Sequence, residues 1–298
     1  MTKNTSFLAI ALLALLALIW GSSFILIKRG LDVFDAGEVG ALRIVAASLF
    51  LVPLSLAGLR KVKRHEWKFL LAVGFFGSLL PAFLFAKAQT QIASSVAGIL
   101  NALTPLFTMI IGAVFFTQRF TLRTVIGLII GFFGTIILIL AGPGGSVGAV
   151  NYYALFVVLA TIFYGANLNI IKFKLPDLQA RTITSISLGL VGPMAAIFLF
   201  SATDFLNKLN HVEGAYWSMG AVVLLGVMGT AIALIFFNQL VKITNPIFTS
   251  SVTYIIPIVA VLWGIWDGEQ LFPGHYIGMV AIIAGVYLAN KKKQVKAE

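Results

Sequence analysis

The chain contains no cysteine, which excludes disulfides, thiol nucleophiles and thiolate metal centres. Charge is scarce too: 10% of the 298 residues are Asp, Glu, Lys or Arg, against 60% apolar. A soluble fold of that length needs more charge to cover its surface, so a water-soluble protein is excluded. The ten acidic residues and three histidines all fall in loops or near the ends of apolar runs. Catalysis inside an apolar bundle needs a nucleophile–base pair, paired carboxylates or a metal cluster at depth. No enzyme, metal site or cofactor is therefore expected. Alternating apolar and polar residues of the barrel-strand kind are missing as well, which excludes a membrane β-barrel.

What the chain does have is apolar runs of about 20 residues, the length a helix needs to cross a hydrocarbon core of roughly 30 Å. Ten spans are predicted: Phe7–Ile27, Gly37–Gly58, Trp67–Ala88, Ile92–Phe116 and Arg123–Ala141, then Tyr152–Ile171, Arg181–Ser201, Tyr216–Val241, Ile247–Trp266 and Gly274–Ala289. The first is too long for a signal-peptide core and leads into further spans, so it is expected to be retained. The fold class that follows is an all-α polytopic membrane protein with ten transmembrane helices.

The net charge of +11 points to topology rather than to nucleic acid as a partner. Basic residues crowd into alternate short loops, as expected of cytoplasmic ones. With the N-terminus inside, sixteen fall in inner segments, among them Arg60, Lys61, Lys63, Arg64, Lys172, Lys174 and the anchor Lys291–Lys293; four, Lys28, Arg29, Lys87 and Lys208, fall in outer loops. Both termini are expected in the cytoplasm, with the chain in the inner (cytoplasmic) cell membrane. Arg43 alone lies inside a span.

The sequence repeats itself. A shift of 144 lays Trp20-Gly21 on Tyr164-Gly165 and Ile27-Lys28 on Ile171-Lys172. A shift of 152 lays Gly74 on Gly226, Gly77 on Gly229, Phe85 on Phe237, Pro105 on Pro257, Gly112 on Gly264 and Gln118 on Gln270. A shift of 151 lays Gly127 on Gly278 and Gly134 on Gly285. The expected units are residues 1–141, a linker at 142–151, residues 152–290 and a basic cytoplasmic tail at 291–298. Five helices per unit is an odd number, so the second unit enters the bilayer from the opposite side. Inverted repeats are the recurring plan of secondary transporters, with the site near the midplane between the halves.

Within this frame stand Ile19-Trp20-Gly21-Ser22-Ser23-Phe24, Arg43, the stretch leading to Thr104-Pro105, Pro257, Gly268-Glu269, Gly278 and Gly285. On these residues the two halves resemble the drug/metabolite transporter superfamily, in its EamA-type branch, over nearly the whole chain. One departure is that the first half carries Phe116-Thr117 where the family usually ends this helix with Gly-Glu. The resemblance implies a transporter of small polar metabolites, amino acids or related zwitterions first, with export the family tendency. It also allows a nucleotide-sugar or sugar-phosphate exchanger.

The candidate site gathers around two prolines. Pro105 and Pro257 lack an amide proton and crowd the carbonyls of Asn101 and Thr253, so both spans are expected to loosen there, with Thr104 and Tyr254 within a turn. Such breaks either present polar groups to a solute or bond to a neighbouring helix. Trp20 and Tyr164 occupy equivalent positions and either wall the cavity or pack. Asn167 and Asn169 cannot share a helix face, and Asn167 lies nearer mid-depth.

Exporters of lipophilic cations need a buried carboxylate, and none is seen at mid-depth. The inward-lying charges are Arg43 and, at the outer end of the third span, Lys87. An arginine fork suits a carboxylate or phosphate; the alternatives for Arg43 are pairing with Glu38 or reaching the surface. Lys87 is expected as an outer gate or anchor. Gly127/Gly131 and Gly274/Gly278 are expected to pack closely, within one chain or between two, which leaves a monomer or a homodimer open. A non-transporting membrane scaffold is the remote alternative.

Overall fold

Inside a bilayer every backbone N–H and C=O needs an internal partner, so apolar runs of this length fold as helices. The computed structural model describes residues 3–117, 122–141, 151–237 and 252–290, and among these there is no strand. The linker positions 142–150, the tail 291–298, Gln118, Lys242 and the side chains of Thr253 and Tyr254 lie outside the described residues.

The long helices are α1 (Lys3–Leu31), α2 (Ala36–Gly58), α3 (Trp67–Gln89), α4 (Ser94–Phe116), α5 (Leu122–Leu140), α6 (Ala154–Lys174), α7 (Ala180–Ser201), α8 (Ala215–Phe237), α9 (Val252–Trp266) and α10 (Pro273–Asn290). Seven of them are long and apolar enough to cross a membrane, while α5, α9 and α10 carry shorter apolar stretches. The chain is a multi-pass membrane protein.

The turns gather at two ends of the bundle. The α1–α2, α3–α4, α7–α8 and α9–α10 connections share one end, where Asn151, just before α6, donates to the Gln91 carbonyl at 3.0 Å. The α2–α3 and α6–α7 connections share the other, with Arg60, Lys61, Lys63, Lys172 and Lys174. These are called the paired end and the basic end below.

Packing occurs in matching pairs. Helix α1 lies on α9 as α6 lies on α4, and α1 meets α8 as α6 meets α3. Gly21 brings α1 against Val259, and Gly165 brings α6 against the Phe107–Thr108 backbone. A Cβ on Gly74 would stand 2.6 Å from the Ser187 carbonyl, and one on Gly226 would stand 2.6 Å from the Arg43 carbonyl. Both α3 and α8 open into a π-helical turn at matching places, Phe75–Leu79 and Leu225–Ile232. Such turns inside α-helices are frequent at functional positions.

Helices α5 and α10 run along each other on glycines, but Gly127 and Gly131 face Gly285, whereas Gly278 faces Gly134 and Gly274 faces Ala141. A Cβ on Gly285 would lie 2.5 Å from the Gly131 nitrogen and 2.6 Å from the Gly127 carbonyl oxygen. Gly285→Leu is therefore expected to push these helices apart, at a cost of about 1–3 kcal/mol, read as a lower thermal midpoint in detergent. Gly220→Leu, where an added Cβ meets nothing within 4 Å, should leave the midpoint unchanged.

Candidate functional site: a central cavity

Pro105 decides the local shape of α4. The helix stops at Asn101 and restarts at Thr104, because the proline supplies no N–H to the Asn101 carbonyl. The Thr104 hydroxyl takes that carbonyl at 2.9 Å, and the Thr108 hydroxyl donates to the Thr104 carbonyl at 2.8 Å. The break is thus satisfied locally, and the Asn101 amide is left facing the bundle interior. The expectation for Pro257 is corrected: α9 runs through it without interruption from Val252 to Trp266. There the helix is buried and held by α1, which Gly21 brings against the Ile256 carbonyl, so packing overrides the local cost of proline.

A cavity of about 490 Å³ lies between α1, α2, α3, α4, α6, α8 and α9. Seven expected residues line it: Trp20, Arg43, Asn101, Thr104, Pro105, Tyr164 and Asn167. Lys87 does not, and its expected role is corrected. It is exposed, with its ammonium 5.8 Å from the Tyr153 ring centre, because the turn of α3 that directs Phe85 inward directs position 87 outward.

Arg43 lies seven residues into α2, about 10 Å along the axis. Gly226 seats α8 directly on its turn, and Thr230, one turn on, accepts from the Arg43 Nε at 3.1 Å. The Tyr164 ring lines the same cavity, with its hydroxyl near the Arg43 guanidinium. Among the described residues the guanidinium pairs with no carboxylate. Glu38 is engaged elsewhere, accepting from Lys208 at 2.8 Å and from the Asp35 N–H at 2.8 Å.

Aromatic rings wall the cavity on both sides of its middle, with Phe24 and Phe85 towards the paired end and Phe237, the last residue of α8, towards the basic end. The Trp20 indole N–H donates to the Gly229 carbonyl in the α8 π turn at 3.0 Å, and its ring centre lies 5.3 Å from that of Phe237. Phe85 bridges Phe24 and Tyr164, at 5.8 Å and 6.1 Å. Asn167 presses on the α3 π turn at Gly77, and its Oδ1 is buried without a partner. Asn169, on another face of α6, is spent on the helix seam, donating to the Thr108 carbonyl at 2.8 Å. The cavity therefore offers a cation held by a neutral group, a second cation in Lys172, a free amide acceptor and a broken helix, but among the described residues no Asp or Glu. Among the described residues no three His, Asp or Glu converge to hold a metal.

The profile of the EamA-like transporter family matches residues 7–140 and again residues 151–291. The chain belongs to this family. Curated relatives include an uncharacterized transporter of Archaeoglobus fulgidus, 25% identical over 94% of this chain and 98% of the relative. The inner membrane transporter YedA of Escherichia coli is 28% identical over 93% of this chain and 89% of its own. A probable terminal-alkyne amino-acid exporter of Streptantibioticus cattleyicolor is 24% identical over 95% and 94%. A crystal structure 18% identical in sequence has the same fold, with a TM-score of 0.62 over 94% of this chain and 96% of that one. An EamA-like transporter has a small-molecule substrate and the lipid bilayer as its partners.

The family's Gly-Glu pair has a physical job in this EamA-like chain. Gly268, at φ +78°, ends α9 in the left-handed region, and the Glu269 N–H returns to the Gly264 carbonyl at 2.9 Å. This Schellman turn swings the Glu269 carboxylate onto the N-terminus of α4. It accepts from the Ser94 and Ser95 N–H groups at 2.8 Å and 3.0 Å, from the Ser95 hydroxyl at 2.6 Å and from the Lys28 ammonium at 3.1 Å. Burial pushes its carboxyl up, but these bonds prevail and hold it at about 2, as expected for an anion on helix-terminal amides. Lys28 also pairs with Asp267 at 2.5 Å, Arg29 with Asp267, and Lys208 with Asp35 at 2.6 Å. The paired end is thus tied by ion pairs across α1, α2, α4 and the α9–α10 turn.

Sequence reasoning did not single out Thr230, Phe85, Phe237 or Lys172 as lining residues. Thr230 follows Gly229, whose match with Gly77 was visible in the repeat. Lys172 was counted as a loop charge, although it aligns with Lys28.

Proposed function

We propose that this EamA-like protein is a secondary transporter of small polar metabolites, amino acids or related zwitterions, working in export by alternating access. In this reading ten helices cross the inner membrane as two inverted five-helix halves, both termini are cytoplasmic, and the chain is not an enzyme. The observation that carries it is Arg43. A guanidinium held inside the bundle by Thr230, without a carboxylate among the described residues, is a ready partner for a solute carboxylate. Asn167 Oδ1, buried and unpartnered, suits an amino or hydroxyl donor on the same solute. The lack of an acidic lining residue argues against a carrier of organic cations.

The test is counterflow in proteoliposomes with pooled labelled amino acids, with and without a pH gradient. Exchange of at least one amino acid above protein-free vesicles is the expected result, and no exchange of any overturns the reading. Sugar phosphates form the second reading, favoured by Lys172 as a second cation at the cavity. They belong in the same assay.

A further inference from the structure

The two halves differ at one position with chemical consequences. Lys28 and Lys172 are equivalents in the repeat, and each sits near the end of its helix. Lys28 is neutralised by Asp267 and Glu269. Lys172 is exposed at the basic end, lines the cavity and lies over the Phe173 ring at 5.1 Å. Among the described residues it meets no carboxylate.

The reason lies in α4. The shift of 152 lays Thr117 on Glu269, and the Thr117 N–H returns to the Gly112 carbonyl as the Glu269 N–H returns to the Gly264 carbonyl, although here Thr117 itself takes the left-handed conformation that Gly268 takes there. Phe116, just before it, stacks on Phe173 beside Lys172, with ring centres 4.7 Å apart. A threonine thus stands in the sequence where the other half carries a carboxylate, and among the described residues no carboxylate neutralises Lys172 as Asp267 and Glu269 neutralise Lys28.

We infer that the transported solute supplies this missing carboxylate: one acid group binds Arg43, and a second binds Lys172. The inference rests on the transport reading above and narrows it to amino acids with an acidic side chain. Tyr164, which lies near Arg43 in the cavity wall, and Lys172 are eight residues apart on α6, about 12 Å along the axis. The four-carbon stem of the lysine closes part of that gap. A solute with both acid groups draws the basic end together around itself, as Glu269 does at the paired end. A neutral side chain leaves the lysine unsatisfied. Lys172 is thereby a specificity-determining residue.

The experiment measures counterflow of L-glutamate, L-α-aminoadipate and L-glutamine in parallel. The intact protein should favour at least one of the two acids over glutamine by about tenfold or more. Lys172→Gln should erase that preference while glutamine exchange persists, and Lys172→Arg should restore it. Lys174→Gln, which removes a charge from the same end but not from the cavity, should leave it unchanged. Thr117→Glu places a carboxylate where Glu269 stands in the other half and should also erase the preference. An intact protein that carries neutral amino acids as well as the acids overturns the inference and leaves the transport reading standing. So does a Lys172→Gln protein with undiminished acid preference. Failure to carry any amino acid overturns both.

Discussion

Arg43→Gln is expected to reduce exchange of a carboxylate-bearing solute by about 100-fold, the scale of a lost charge-assisted contact in a partly dry site. The protein should still fold. Its partner Thr230 and its neighbour Tyr164 are neutral, so no buried counter-charge is stranded by the change. Arg43→Lys keeps the charge but loses the planar fork, and should weaken a carboxylate substrate more than its amide. Counterflow rates together with thermal midpoints in detergent separate these outcomes. Undiminished exchange by Arg43→Gln, at an unchanged midpoint, would return Arg43 to helix packing alone.

The second large effect concerns closure of the paired end. Glu269→Gln removes the anion that holds the α4 N-terminus and Lys28, a loss of about 2–3 kcal/mol. Because the chain has no cysteine, a single Ser23→Cys, on the cavity wall near that end, is the only thiol for an impermeant maleimide. Labelling through the paired end should be slow in the Ser23→Cys protein and faster by about tenfold or more once Glu269 is Gln. The pH dependence has a defined sign. The carboxyl is held at about 2, below its ordinary 4.5, so the contribution of Glu269 is fully present above about pH 5 and is lost as pH falls towards 2. Labelling of the Ser23→Cys protein, divided at each pH by that of the Ser23→Cys, Glu269→Gln protein to remove the common thiolate term, should accordingly be flat between pH 5 and pH 8. Equal labelling with and without Glu269 would mean that aromatic packing alone closes this end.

These two residues divide the work of a carrier. In the proposed reading Arg43 binds the solute between halves that pack in matching pairs, α1 on α9 and α6 on α4. The Glu269 cluster biases which end stays shut. A solute shifts such an equilibrium only by binding one state better than the other. In the proposed cycle, an arginine in the cavity and a lysine near the basic end provide such differential contacts.

Much of this was legible in the linear chain, because the bilayer imposes it. The lack of charge and the apolar runs leave only helices, and the spacing of Gly74, Gly77, Gly226 and Gly229 reveals the repeat. The pairing of residue types around Trp20, Tyr164, Asn101 and Arg43 also marks groups that are costly in lipid and so belong inside. What the chain does not carry is rotation about each helix axis. Lys87 and Phe85 lie two residues apart, and only packing decides that one faces out and the other in. Pro105 breaks its helix while Pro257 does not, since the backbone responds to neighbours as well as to the ring. Likewise, Glu269 reads as a loop acid until the αL turn at Gly268 lays it on the N-terminus of α4. Lys172 reads as a cytoplasmic loop charge until the bundle brings it to the cavity. Length, class and repeat follow from local hydrophobic free energy; which side chains share one space is decided by long-range packing.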